Sequence, residues 1–405
     1  MIGNTPTATT QCARLSDWII AYLLPIGWLV LLTGMFWSGD RTLYHKLYYA
    51  LLAAPTLLAL MLQPRLLKRL LCNPLILTFI VFGCYTVLSL LWSDTDNKFG
   101  SLAKRPLYVL MLFLGVGLLA LKSPQRLNTL LLLAGYIAAG GGALSFAYFL
   151  YSTGGVGRFS GYGSLYNPLL TAHVYGFFAA FWLATWFTRV DAHSNAVLPV
   201  LLLLVLGVVV LSTGSRTPLL ALSLTLIWLV ATHISRRGLI ASACAIVLVA
   251  GLLLLYPNSL LQRGLSYRPE IWLGALQLAA DSPWFGHGFD HTLSIPLQTS
   301  SRTFNDPHNM ELAVLLSGGL TGLLMWISLY AIALLFAWRN RHNPFVMIAS
   351  ALVVYGLGAG LTEGRGFLSR PKEHWFLIWI PIALLAAAQL ISPSGNTTHA
   401  PVEKT

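Results

Sequence analysis

The sequence predicts an all-α polytopic membrane protein of about twelve transmembrane helices, built as one integral membrane domain over residues 1–405. Three observations lead there. Hydrophobic residues make up 56% of the chain and charged ones only 9%, whereas a soluble domain carries roughly 25% charged residues. Apolar stretches long enough to span a bilayer as a helix recur along the whole length, at a mean hydropathy of +0.71. Short basic connections return at every second turn: "RLLKRL", "KSPQR", "SRRG" and "RNRH". A soluble protein with an unusually apolar core does not produce that combination.

Taken in order, the apolar segments start near Trp18, Leu47, Pro74, Pro106, Leu127, Tyr166, Ala196, Thr217, Leu239, Asn309, Pro344 and Trp375. The stretch ahead of Trp18 holds one base, Arg14, and no small-residue cleavage site follows, so the first segment is expected to be a retained span. Cys12, Cys72, Cys84 and Cys244 fall in the N-terminal tail or in spans, which predicts neither a disulfide framework nor a zinc site. The small basic loops belong in the cytoplasm by the positive-inside rule, and both termini go with them. The outer side then carries a long loop over 257–307, expected to hold short amphipathic helices, and shorter polar loops over 93–105, 152–165 and 362–374. Chemistry concentrates on such loops. ATP and nucleotide donors are absent outside the inner membrane, so a reaction there needs a donor that brings its own leaving group.

Several outer-side residues suit phosphate chemistry. Arg158 stands in the glycine-rich "GGVGRFSGYG", Arg216 in "TGSRTP", Arg268 in "SYRPEIW" and Arg302 in "SSRTFNDPH". Arginine presents a planar fork that donates two parallel hydrogen bonds to phosphate. Thr217 and Pro218 read as an N-cap and first helical residue, which sets Arg216 beside a helix N-terminus. Arg268 opens an amphipathic stretch with Trp272 at headgroup level. In "NDPHNMELAVLLSGGLTG", Asp306 reads as an N-cap and Pro307 as the first helical residue, so His308 and Asn309 fall in the first turn. A neutral imidazole there can serve as a general base. Gly319 and Gly322 lie three apart and offer close packing on one helix face. Glu363 is the outer acid nearest a span end. His173, inside a span, is a weaker candidate than His287 or His291 in the long loop. Asp94 and Asp96 of "SDTDN" read as a solvated turn. The chain has no His-Glu-x-x-His, and neither a metal nor a cofactor is expected.

These residues resemble a family. His308-Asn309 followed by Gly319-x-x-Gly322 is similar to the His-Asn…Gly-x-x-Gly signature of the O-antigen ligases. Arg268, Ile271 and Trp272 of "RPEIW", with Pro283, Gly286 and Gly288 of "PWFGHGF", resemble segments of the wider ligase and polymerase superfamily, as do "TGSRTPLLAL" and "RFSGYGSLYNP". The resemblance covers Arg158 to Gly322. It implies an enzyme of the Gram-negative inner membrane, working on the periplasmic face without ATP. Its donor would be a glycan on undecaprenyl pyrophosphate and its acceptor a sugar hydroxyl of lipid A–core; membrane lipids would surround it, and no nucleic acid would bind. His308 would take the acceptor proton, Arg216 and Arg268 would hold the pyrophosphate, and one displacement would invert the anomeric carbon. Arg158, Arg302, Asn309 and Glu363 would support the donor or the acceptor. An O-antigen polymerase or a protein O-oligosaccharyltransferase would use the same donor. A lipid or solute transporter is the alternative of another class; it would call for ionisable groups in mid-membrane and broken helices in matching halves.

Overall fold

A computed structural model of the chain describes residues 8–188, 197–234, 236–255, 267–296 and 302–391. Parts of the long 257–307 loop, residues 257–266 and 297–301, lie outside the described residues. The long helices, in chain order, are α1 (Gln11–Trp37), α2 (Arg41–Leu62), α3 (Pro74–Leu91), α4 (Phe99–Lys122), α5 (Pro124–Thr153), α6 (Pro168–Thr188), α7 (Val197–Ser212), α8 (Thr217–Thr232), α9 (Arg236–Leu255), α10 (Arg268–Asp281), α11 (Met310–Arg339), α12 (Pro344–Gly360) and α13 (Trp379–Ile391). Strands among the described residues are confined to a small antiparallel ribbon, β1 (Ile295–Pro296) on β2 (Thr303–Phe304). Seven helices, α1 to α6 and α11, are long and apolar enough to cross a membrane. Helices α7, α8, α12 and α13 are apolar but shorter. The seventeen residues of α12 extend only about 25 Å at ~1.5 Å per residue.

Helix starts follow local chemistry. Asn73, Asn167 and Asn343 each precede a proline, and each side chain accepts a backbone N–H just inside the helix, at 2.9–3.3 Å. Proline sits at the first turn because its missing N–H would have had no partner there. Asp40 caps α2 through Leu43 N at 2.8 Å. Several spans begin earlier than their apolar runs suggest. Helix α4 starts at Phe99, ahead of Lys104 and Arg105, and keeps Pro106 in its interior. The basic residues of its second turn are helical all the same.

Amphipathicity decides who is central. Helix α13 is buried continuously from Trp379 to Ala388, as a helix apolar on every side must be. It packs on α4 and α12, while α6 packs on α7 and α12. Helices α5 and α11 leave wide apolar faces exposed, Leu144, Tyr148 and Leu324 among them.

Helix α11 is broken. Gly319 has φ 61°, ψ −163°, a conformation open to little but glycine. The segment Pro283–Gly288 enters the break and completes its hydrogen bonds. His287 N donates to Leu316 O (2.8 Å) and Gly288 N to Ser317 O (3.0 Å). Leu320 N donates to Pro283 O (2.8 Å) and Thr321 N to Trp284 O (3.2 Å). The Tyr85 hydroxyl, from α3, lies 2.6 Å from Gly318 O. Backbone groups orphaned by the break thus find partners, as buried ones must. This corrects the expectation that Gly319 and Gly322 share a helix face. Gly319 is the break itself, and a Cβ there would come within 2.4 Å of the Trp284 backbone. Gly322 packs on the Tyr85 ring.

Candidate active site

His308 stands just ahead of α11, not in its first turn. Its φ is +48°, left-handed for a residue with a Cβ. Asp306 Oδ1 accepts His308 N at 2.8 Å, and this tight turn holds the conformation. Asp306 is therefore occupied with its own turn and is not the cap of α11. Asn309 is the cap: its backbone is extended, and its Oδ1 accepts Leu312 N at 2.9 Å. The His308 side chain is partly exposed, with Nδ1 4.0 Å from Asp306 Oδ1, beyond hydrogen-bond range. Its ring meets Phe304, which in turn meets Tyr267, the residue before Arg268.

One short segment, Leu361–Thr362–Glu363 after α12, gathers the expected residues. Asn309 Nδ2 donates to Leu361 O at 3.2 Å. Arg268 Nη2 donates to Thr362 O at 3.1 Å. The Thr362 hydroxyl lies 2.6 Å from that of Thr217. Arg216, next to Thr217, is the N-cap residue of α8, so the helix begins one residue earlier than the Thr217–Pro218 reading placed it. The Thr217 hydroxyl bonds across to Thr362 and leaves the capping position to Arg216. Arg158 reaches the same corner: Nε donates to Thr213 O (2.7 Å) and Nη2 to Ser215 Oγ (3.0 Å), just ahead of Arg216. Arg302 lies apart from these contacts, exposed beside β2.

Glu363 points inward. Its Oε1 is 2.8 Å from His173 Nε2, and both side chains are buried. The pair ties the gathering segment to the second turn of α6. His173 looked weak in sequence because it sits within an apolar span; only its partner gives it a role.

Beside this cluster lies a cavity of about 700 Å³ that no single sequence motif announced. Arg41, Arg105, Arg365, Arg370 and Lys372 line it, together with Asp96, Asp290 and Asp306. Its wall includes "SDTDN", which is docked and not a free solvated turn. Ser93 Oγ donates to Phe289 O (2.8 Å), Thr95 Oγ1 and Asn97 Nδ2 donate to Asp290 Oδ2 (2.9 and 2.7 Å), and Asp94 accepts Thr292 N and Oγ1 (2.9 and 2.6 Å). The Thr292 bonds hold Asp94 below the usual carboxylate range. Burial raises the Asp290 carboxyl, but Asn97, Arg105 and Thr95 outweigh it and leave the group lowered. His291 is pushed down to about 4 by burial, with Arg365 and His287 adding to the effect. Asp306 joins the two regions: it lines the cavity, turns back to His308, and accepts Arg365 N at 3.3 Å. The one available sequence signal was that the loops expected outside hold at least as many Lys and Arg as those expected inside, against the positive-inside trend.

Comparison with known proteins follows the same line. Residues 200–327 match the family model described as O-antigen ligase. The match takes in Arg216, Arg268, Arg302, His308 and the break at Gly319. A protein of Pseudomonas aeruginosa named O-antigen ligase is 52% identical over 379 residues, covering 92% of this chain and 91% of its own length. Arg158 and Glu363 fall outside the family-model segment, yet the fold brings them to the same corner. With that identity over nearly the whole chain, and with the signature residues assembled at one segment, the protein belongs to the O-antigen ligase family.

Proposed function

We propose that the chain transfers O-antigen polysaccharide from undecaprenyl pyrophosphate to a sugar hydroxyl of lipid A–core, at the periplasmic face of the inner membrane. The chain crosses about twelve times, the shorter apolar helices included, with both termini cytoplasmic. The observation that carries the reading is the gathering of Asn309, Arg268 and the Arg216–Thr217 pair on Leu361–Glu363, with His308 alongside.

The reaction uses groups on this chain. A His308 ring nitrogen takes the proton from the acceptor hydroxyl as its oxygen attacks the anomeric carbon of the donor. The bond from that carbon to the phosphate oxygen breaks, its electron pair leaves with undecaprenyl pyrophosphate, and the configuration inverts. Arg216 and Arg268 offset the charge on the leaving group through bidentate bonds. Asn309 fixes the approach of His308 by capping α11, while the buried His173–Glu363 pair fixes the segment that receives Arg268. Arg158 props the loop that carries Arg216. The exposed Arg302 is assigned to the incoming glycan. Protein side chains supply both the base and the charge that stabilises the leaving group, so the scheme needs no metal.

Reconstitution in liposomes tests this. Undecaprenyl-pyrophosphate glycan and lipid A–core are supplied with chelator and without ATP, and products are read by gel and mass spectrometry. The expected result is glycan on lipid A–core, abolished by His308→Ala while folding and donor binding persist. Longer glycan still on the carrier would mean a polymerase. Wild-type transfer rates in His308→Ala would remove His308 from the mechanism.

A further inference from the structure

The basic cavity is separate from the donor cluster. Arg216, Arg268 and His308 do not line it; it meets them at Asp306. Its charges are unbalanced. Asp290 is taken up by Arg105, Thr95 and Asn97. Asp306 is taken up by the amides of His308 and Arg365. Arg41 pairs with the buried Glu373, and Arg365 donates to the carbonyls of His291 and Asn305. Arg370 and Lys372 remain, and no carboxylate among the described residues, Asp96 of the same lining included, is in ion-pair range of either.

Lys372 is largely buried, and a buried ammonium without a counter-ion is costly. Burial pushes its pKa down against the pull of Glu373, and Arg41 and Arg105 push the same way as burial. Four more buried polar atoms of cavity-lining residues have no hydrogen-bond partner: Arg41 Nε, His374 Nδ1, Ser369 Oγ and His291 Nε2. His291 differs in kind from the cations. Its Nδ1 lies 3.2 Å from Gly288 O, a carbonyl that can only accept, so Nδ1 carries the proton. The neutral ring then offers Nε2 as an acceptor, suited to a hydroxyl. The cavity thus combines unsatisfied cations with a hydroxyl acceptor, at a volume of about 700 Å³ that lies within the ~300–1,000 Å³ typical of small-molecule sites.

The geometry points to this cavity as the seat of the acceptor's phosphorylated saccharide, with phosphate on Arg370 and Lys372, a sugar hydroxyl on His291 Nε2, and the reacting hydroxyl delivered past Asp306 to His308. This rests on the ligase reading and adds to it: the two anionic substrates occupy different arginine clusters, with Asp306 and His308 at the junction.

Phosphate is common to acceptor and donor, so the test separates them. Purified full-length protein in nanodiscs is titrated with lipid A–core, with the same lipid after phosphatase treatment, and with undecaprenyl pyrophosphate, each alone. Wild-type protein is expected to prefer the phosphorylated acceptor at least tenfold. Arg370→Gln and Lys372→Gln should each lose about tenfold for that form, a loss of one charge-assisted hydrogen bond. Neither variant should change affinity for the dephosphorylated acceptor or for undecaprenyl pyrophosphate. Arg370 is exposed, so its variant tests the idea even if Lys372→Gln misfolds. Equal wild-type affinity for both acceptor forms would overturn the inference, and so would a loss confined to undecaprenyl pyrophosphate. Transfer by the same wild-type preparation reports separately on the ligase reading: absent transfer with phosphate-dependent acceptor binding would sink that reading and leave the cavity assignment standing.

Discussion

Replacing Gly319 with alanine puts a methyl group where the chain has no room for it. Two costs add. The conformation at φ 61°, ψ −163° costs a residue with a Cβ about 1–3 kcal/mol. The new Cβ would also stand 2.4–2.5 Å from Trp284 C, Trp284 O and Phe285 N, all backbone atoms that cannot swing aside. Relief requires Pro283–Gly288 to withdraw, which weakens the four backbone hydrogen bonds and the Tyr85 hydroxyl bond that close the break. At about 1 kcal/mol net each, losing two or three of them brings the total to roughly 3–6 kcal/mol. Gly322→Ala is the control: its nearest neighbour is the Tyr85 ring at 3.2 Å, which can shift. Thermal unfolding in detergent, followed by tryptophan fluorescence, should show Gly319→Ala far below wild type and Gly322→Ala close to it. Transfer activity should fall in the same order, since the break positions the loop that leads to the cavity wall. A Gly319→Ala protein with wild-type unfolding temperature and activity would refute the reasoning outright.

Arg216→Lys and Arg268→Lys should each raise the apparent KM for donor about tenfold or more, because a lysine keeps the charge but not the bidentate fork; unchanged donor kinetics in both would assign them to lipid headgroups. Glu363→Ala should destabilise by about 1–3 kcal/mol, since it removes the carboxylate that lies 2.8 Å from the buried His173 ring, and should lower transfer by loosening the segment that holds Arg268 and Asn309. A His173→Leu/Glu363→Leu pair that regains stability but not activity would separate packing from positioning. His291, held down to about 4, binds fewer protons folded than unfolded between that value and the ordinary ~6.5. Stability should therefore fall as pH drops through this window, by at most roughly 3 kcal/mol from this group, and His291→Gln should flatten the slope; equal slopes would show that other groups set it.

The membrane class, the helical segments and several residues that the fold brings to one corner, Asn309, Arg268 and Arg158 among them, were legible in the chain. Each rests on information within a few neighbouring positions: an apolar run, an asparagine before a proline, an arginine beside glycine. Local reading erred where two local solutions competed. Asp306 and Asn309 can each cap a helix, and the choice went to Asn309 because Asp306 is held by the amides of His308 and Arg365, the second of them 59 residues away. Gly319 and Gly322 match a packing motif, but the first takes a positive φ because Pro283–Gly288 needs the gap. "SDTDN" looks like any exposed turn until Asp290 and Thr292 arrive to bind it. By itself the sequence determined which segments are apolar enough for a membrane and which residue types suit phosphate, since hydropathy and side-chain chemistry are properties of the residue. Only the tertiary structure decided that His173 meets Glu363, that α11 breaks, and that bases from α2, α4 and the 362–374 loop surround one cavity. Those depend on which groups distant in sequence the packing brings together, a condition no local pattern encodes.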